Sequence, residues 1–321
     1  MSDLFIALSI FYLLIILGYI LGKLLKNYNE QIRKILSFIL LFILTPPIII
    51  FSFLLPDFSI NTIVILNIII LTFILIFATQ FIAYIFFLRK RNVDDNKRVG
   101  AILNLVAIPN AMLFPLPIVL SLFGSQFIII LVIFALTTIA IRVTWFVYLN
   151  IYYGENRTIS YKDILKNIFT FPPTIALILS IILLSLGITL DCEFFITTND
   201  IISVLTTILG AILIGVLIVN INLKKIHEFK QDFLIVIGIR IVFSFILFFL
   251  ITQFLIFPSE NKQTTLTILL LLSVSPPAVA NIYYTEYFNL DNEFAAFCVI
   301  TITILAIIYV PLILILGLTI F

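Results

Sequence analysis

Two proline-rich stretches decide the fold of this chain: residues 107–117 read AIPNAMLFPLP, and residues 273–281 read SVSPPAVAN. Each stretch lies inside a segment that is otherwise apolar enough to cross a bilayer. Proline has no backbone N–H and its ring clashes with the preceding turn, so each stretch predicts an interrupted helix. An interrupted helix is tolerated in a bilayer only where it is buried in protein or lines a polar cavity. We therefore expect the two broken segments to meet inside the protein.

The composition around these stretches excludes a water-soluble protein. Of the 321 residues, 63% are apolar and 11% are charged, whereas a soluble domain is about 45–50% apolar and about 25% charged. Too few polar residues remain to cover a soluble surface, which excludes a soluble enzyme, a nucleic-acid-binding protein and a disordered chain. One histidine and two cysteines, without any metal-binding spacing, predict no metal or other cofactor. An intramembrane enzyme is also not expected, because no intramembrane aspartate pair or GxSxG motif with a histidine is present.

Ten stretches are long and apolar enough to span a membrane. They cover residues 4–22, 35–55, 61–88, 99–121, 126–152, 170–190, 198–220, 233–257, 264–286 and 293–318. Fifteen of the eighteen Lys and Arg residues fall in the loops that follow the first, third, fifth and seventh spans. By the positive-inside rule, these loops are cytoplasmic, and both termini lie on the outer side of the cell membrane.

A basic loop between the fifth and sixth spans divides the chain into two halves, residues 1–153 and 154–321. Because each half has an odd number of spans, the halves would insert in opposite directions, as in the inverted repeats of secondary transporters. The interrupted spans are the fourth and the ninth, and Pro109 and Pro276 occupy corresponding places in them. Helix N-termini at such breaks carry a partial positive charge, which favours an anionic substrate group.

Candidate binding residues follow from these breaks. Asn110 and Asn281 adjoin the broken backbone, and we expect their amides to contact the substrate. Arg142 and Arg240 lie within spans, where a charge is usually functional. Each arginine either contacts the substrate or the broken helices, or has a structural role. In the structural role it would extend to the membrane surface or donate to backbone carbonyls. Thr45 precedes the Pro46-Pro47 kink of the second span, and the seventh span has Gly210 and Gly215 instead of prolines. Both features either allow close helix packing or line the substrate path. The remaining candidates are residues of the breaks themselves: Pro109, Pro117, Ser275, Pro276 and Pro277.

Four short motifs carry a resemblance to a known family. They are Gly18-Tyr19-Ile20-Leu21-Gly22, Pro46-Pro47, Pro109-Asn110 with Pro117, and Pro276-Pro277 followed by Glu286-Tyr287. In this order and spacing, the chain resembles the auxin efflux carrier family, the PIN-like permeases with prokaryotic members. The resemblance implies an all-α polytopic membrane protein of ten helices in two inverted five-helix repeats, with discontinuous fourth and ninth helices that cross. It also implies elevator-like transport of organic anions, with Asn110 holding the substrate carboxylate.

The chain departs from the plant carriers at Pro277-Ala278 and Asn281, and it has only a short linker between its halves. The resemblance therefore favours dicarboxylates such as malate or malonate over auxin.

The leading hypothesis is a secondary transporter of small organic anions; the alternatives are a channel or an ion-coupled symporter of the related bile-acid/sodium type. No carboxylate lies deep in a span, so strict proton coupling is not expected. The expected partners are the anion and membrane lipid, a homodimer is left open, and no nucleic acid is expected.

Overall fold

A computed structural model describes residues 2–54, 62–88, 96–154, 172–190, 192–219, 226–258 and 261–321. The regular elements within these ranges are all helical. The basic residues at 89–91, 157–166 and 224–225, on which much of the predicted orientation rests, lie outside the described residues. Five helical stretches among the described residues are long and apolar enough to cross a membrane. They are Thr62–Phe87, Ser125–Asn150, Glu193–Val216, Glu228–Thr252 and Asn292–Ile320.

The described helices are numbered here in chain order. They are α1 (Ser2–Leu24), α2 (Asn29–Phe38), α3 (Thr45–Leu54), α4 (Thr62–Leu88), α5 (Asn96–Ala107), α6 (Pro115–Phe123), α7 (Ile128–Ile141), α8 (Val147–Tyr153), α9 (Pro172–Ser185), α10 (Glu193–Ile218), α11 (Ile226–Ile237), α12 (Ser244–Thr252), α13 (Lys262–Ser273), α14 (Ala280–Tyr287) and α15 (Asn292–Ile320). Three wider π-helical turns join consecutive helices: Ile39–Leu44, Arg142–Phe146 and Gly238–Phe243.

Both predicted interruptions are confirmed. Helix α5 ends at Ala107 and α6 begins at Pro115; α13 ends at Ser273 and α14 begins at Ala280. Pro115 suits the first position of α6, because the N–H that proline lacks would have no partner inside the helix there. The arrangement of the spans as ten helices in two inverted repeats remains a prediction.

The chain forms two compact units that differ from the two halves of the sequence. The first unit comprises residues 1–62, 112–133 and 165–220; the second comprises 63–111, 134–164 and 221–321. Each unit therefore takes segments from both predicted repeats. The chain passes from the second unit to the first between residues 111 and 112, within the first interrupted segment.

In the first unit, glycines let helices α1 and α10 approach closely. A Cβ atom built on Gly18 would lie 2.2 Å from the carbonyl oxygen of Ile212, and one on Gly215 would lie 2.1 Å from that of Ile15. A Cβ on Gly210 would lie 3.2 Å from the ring of Pro117. Of the two interpretations open for Gly210 and Gly215, these contacts favour packing.

Candidate functional site

The two interrupted segments pair with each other through their backbones. The N–H of Asn110 donates to the carbonyl of Pro276 at 2.7 Å, and the N–H of Ala278 donates to the carbonyl of Ile108 at 3.0 Å. These two bonds set Pro109 opposite Pro277 as an isolated antiparallel bridge. We call the paired segments, residues 108–111 and 274–279, the crossover. It lies entirely within the second unit.

Arg240 donates hydrogen bonds to backbone carbonyls at the C-terminal ends of the two interrupted helices. The side chain is buried on the π turn Gly238–Phe243. Its Nε donates to the carbonyl of Ser275 at 2.9 Å, and its Nη1 donates to that of Val106 at 3.1 Å. Its Nη2 donates to the carbonyls of Leu272 and Ser273. The C-terminal ends of α5 and α13 each carry about half a negative charge, which together offset the guanidinium.

Two further side chains bond carbonyls in or next to the crossover. The hydroxyl of Tyr309 donates to the carbonyl of Val274 at 2.8 Å. The Nδ2 of Asn281 donates to the carbonyls of Asn104 and Ile108 at 3.4 and 3.3 Å. Three side chains from α14, α15 and the π turn before α12 therefore hold the broken backbone in one arrangement.

Arg142 is much less completely paired than Arg240. It is buried on the π turn Arg142–Phe146. Its Nη2 donates to Oδ1 of Asn281 at 3.4 Å, and its guanidinium carbon lies 5.2 Å from the ring centroid of Tyr284. Among the described residues, no salt bridge is found for Arg142. Because a guanidinium has five N–H donors, Arg142 retains donors for a ligand beside the first turn of α14.

The other candidate residues divide between the two units. Asn110 and Ser275 are buried in the crossover, and the hydroxyl of Ser275 donates to the carbonyl of Leu271 at 2.8 Å. Thr45 belongs to the first unit, where its hydroxyl donates to the carbonyl of Leu40 at 2.6 Å across a π turn. Pro46 and Pro47 have no N–H for the carbonyls one turn earlier, which accounts for this wider turn. Pro117 also belongs to the first unit.

Sequence reasoning missed the three π turns and the part played by Tyr309. The available signal for Tyr309 was a phenol inside an otherwise apolar span. The Nδ2 of Asn104 on α5 donates to Oδ1 of Asn150 on α8 at 2.6 Å, which joins these two helices.

Helical elements throughout the described ranges, several apolar spans and two interrupted helices paired at a buried arginine form the architecture of a membrane transporter. The sequence matches the family described as membrane transport protein over residues 3–314. The chain therefore belongs to this family, the auxin efflux carrier or PIN-like family whose motifs it resembles. No curated protein matches the chain. The protein is thus a multi-pass membrane transporter.

Proposed function

We propose that this protein is a secondary transporter of small organic anions, with carboxylates bound next to the crossover. The observation that carries the proposal is the buried guanidinium of Arg142, which has one long hydrogen bond to Asn281 and contacts the ring of Tyr284. The first turn of α14, which contains Asn281, adds a partial positive charge at the same place. A carboxylate there would receive charge-assisted hydrogen bonds from the guanidinium.

The cost of the buried charge supports an anion as the ligand of Arg142. An arginine at the centre of a membrane helix costs about 2.5–3.5 kcal/mol even on insertion scales, and more when it is unpaired. Arg240 meets this cost with four carbonyls from two helix ends. Arg142 has no comparable set of acceptors among the described residues. A bound carboxylate would supply both the missing acceptors and the missing negative charge.

The compact units support an alternating-access mechanism for this transporter. The second unit contains the whole crossover together with Arg142, Arg240, Asn110 and Asn281. A binding site held by one unit could be carried across the membrane as a body, which is the elevator-like motion we propose. The ten-helix inverted-repeat arrangement, with both termini on the outer side, belongs to the same proposal.

Transport by the purified protein in liposomes tests the proposal. We expect saturable uptake of labelled malate or malonate, with counterflow against unlabelled substrate on the other side. Arg142→Gln and Asn110→Ala should each lower uptake at least about tenfold, because each removes a proposed carboxylate contact. Equal uptake by the wild type and both variants would show that the site assignment is wrong.

The same liposomes separate the alternatives. A requirement for an imposed sodium gradient would identify an ion-coupled symporter of the bile-acid/sodium type. Single-channel current steps without counterflow would identify a channel and overturn the secondary-transporter proposal. No uptake of any carboxylate by correctly folded protein would overturn the substrate class.

A further inference from the structure

The second unit contains a cavity that is lined by no residue of the crossover. It has a volume of about 610 Å³ and is lined by α4, by Leu103 of α5, and by the segment from Trp145 to Tyr153. The walls are mostly aromatic, and Trp145 lies 6.1 Å from Phe77 and 5.9 Å from Tyr148 between ring centroids. Pockets of this size with apolar walls and a few polar groups are typical of sites for amphipathic ligands.

One polar side chain in this pocket has an unused hydrogen-bond donor. Gln80 is 6% exposed, and its Oε1 accepts a 2.7 Å hydrogen bond from Nε1 of Trp145. An indole N–H can only donate, so it must face the amide oxygen and thereby fixes the orientation of the Gln80 amide. The Nε2 of Gln80 is buried and has no hydrogen-bond partner among the described residues. A ligand for this pocket should therefore combine an apolar body with a hydrogen-bond acceptor.

The position of the pocket favours a lipid as its ligand. It lies along two stretches that are apolar and long enough to cross a membrane, Thr62–Phe87 and Ser125–Asn150. Large apolar side chains at its mouth, such as Phe81 and Tyr148, are 62% and 60% exposed. In a membrane-spanning helix, exposed side chains of this kind suit contact with acyl chains.

The depth of Gln80 also suits a lipid. Helix α4 has 27 residues and is about 40 Å long, about 10 Å longer than the hydrocarbon core of a bilayer. Gln80 lies eight residues before the end of α4 at Leu88, about 12 Å along the axis. If the excess length is shared between the two ends, Gln80 is within about 7 Å of the level where headgroups begin. Tyr152 and Tyr153, at the end of α8, are typical of that interfacial level.

We propose that this pocket binds one acyl chain of a membrane glycerolipid, whose ester carbonyl accepts a hydrogen bond from Gln80 Nε2. The acyl chain of the lipid would lie against the rings of Phe77, Phe81 and Trp145. The proposal is independent of the substrate site, because the residues that carry it are not the crossover residues.

Trp145 is the only tryptophan of the chain, so its fluorescence reports on this pocket. The full chain in detergent is titrated with a phosphatidylcholine brominated on its acyl chains, which quenches nearby tryptophan. We expect saturable quenching at about one lipid per protein, reversed by unbrominated phosphatidylcholine. Gln80→Leu should raise the half-saturating lipid concentration about three- to tenfold, the loss expected for one hydrogen bond in a membrane protein. Half-saturation, rather than amplitude, is compared because this substitution also removes the acceptor of the indole N–H.

A second variant keeps the test decisive if Gln80→Leu does not fold. Leu149→Phe adds volume to the pocket wall and should abolish the saturable phase, while Ile70→Phe, on an exposed position of α4 outside the lining, should leave it unchanged. Non-saturable quenching that is the same in all variants would show only general lipid contact and would overturn the proposal. Tighter saturation by a brominated fatty acid or alkyl detergent than by the glycerolipid would overturn the assignment of the ligand.

Discussion

Nη1 of Arg240 donates a 3.1 Å hydrogen bond to the backbone carbonyl of Val106, 134 residues earlier in the chain. The same guanidinium bonds the carbonyls of Ser273 and Ser275. One side chain thus joins the C-terminal ends of two interrupted helices, and its positive charge lies where both helix dipoles are negative. This arrangement gives Arg240 a structural task, which differs from the anion binding that we propose for Arg142.

Replacing Arg240 should destabilise the fold itself. Arg240→Met leaves several buried carbonyls without a donor, and we expect a loss of roughly 3–5 kcal/mol, as for a broken buried ionic contact. Thermal unfolding in detergent and the yield of monodisperse protein measure the effect. Arg240→Lys keeps the charge but has fewer donors in a less suitable geometry, so its loss should be intermediate. An unchanged melting temperature for Arg240→Met would contradict the structural role.

Replacing Arg142 should not lower the stability of the substrate-free protein, in contrast to replacing Arg240. Arg142→Met removes a buried charge that is poorly compensated in the substrate-free protein, so its melting temperature should equal or exceed that of the wild type. A ligand at about 100 times its dissociation constant stabilises a protein by about 2.7 kcal/mol. We expect malate or malonate to raise the melting temperature of the wild type and to have no effect on Arg142→Met. A full ligand-induced shift in that variant would refute the anion site.

Much of the fold follows from local chemistry that can be recognised in the sequence. Proline removes a helical hydrogen bond through its own covalent structure, whatever surrounds it. Both interruptions occur where the prolines at 109, 115, 276 and 277 predict them. The pairing of the two breaks was also predictable, because bare backbone groups in a bilayer must find partners within the protein.

The site could be predicted only in part, since its contacts are not local. The sequence allowed Arg240 to bond carbonyls, reach the surface or bind substrate, and the choice depended on carbonyls more than thirty residues away. The π turns at Arg142 and Arg240 direct those side chains but leave no simple periodic signal. The compact units could not be predicted from sequence order, because each combines segments from both halves.

The close approach of α1 and α10 depends on Gly215. A Cβ at this position would lie 2.1 Å from the carbonyl oxygen of Ile15 and 2.5 Å from the backbone nitrogen of Tyr19. Gly215→Ala must therefore push the two backbones apart, and we expect a loss of roughly 1–3 kcal/mol in thermal or denaturant unfolding.

Gly238 provides the matched control. A Cβ there would meet no atom within 4 Å, and this glycine is also helical. Gly238→Ala should be neutral or stabilising by up to about 1 kcal/mol, because alanine favours a helix more than glycine does. Equal losses of stability for the two variants would mean that the conformation of each helix, rather than the contact between α1 and α10, causes the loss.

Asp291 performs two separable functions at the start of α15. Its Oδ1 accepts from the N–H of Phe294 as a helix N-cap, and its Oδ2 accepts from Nε of Arg98 at 2.8 Å. Arg98 also lies 3.7 Å from Asp232 and over the ring of Phe229 at 5.0 Å. Partial burial alone would lower the pKa of Arg98. The hydrogen bond and charge of Asp291, together with the charge of Asp232, outweigh this effect, so the pKa of Arg98 is raised. With its pKa raised, protonated Arg98 contributes this stability at neutral pH, below its unfolded pKa, and loses it only as pH rises through the folded value.

Asp291→Asn and Asp291→Ala should therefore differ by a defined amount. Asn keeps a capping oxygen and loses only the ion pair, a loss of about 0.5–1 kcal/mol for partly exposed groups that shrinks at high salt. Ala loses the cap as well, a further loss of about 1 kcal/mol that salt should not change. Thermal unfolding of both variants at low and high salt, at constant neutral pH, measures the two contributions separately. If the two variants lose the same stability at both salt concentrations, the cap makes no independent contribution, and α15 is held in place by its packing alone.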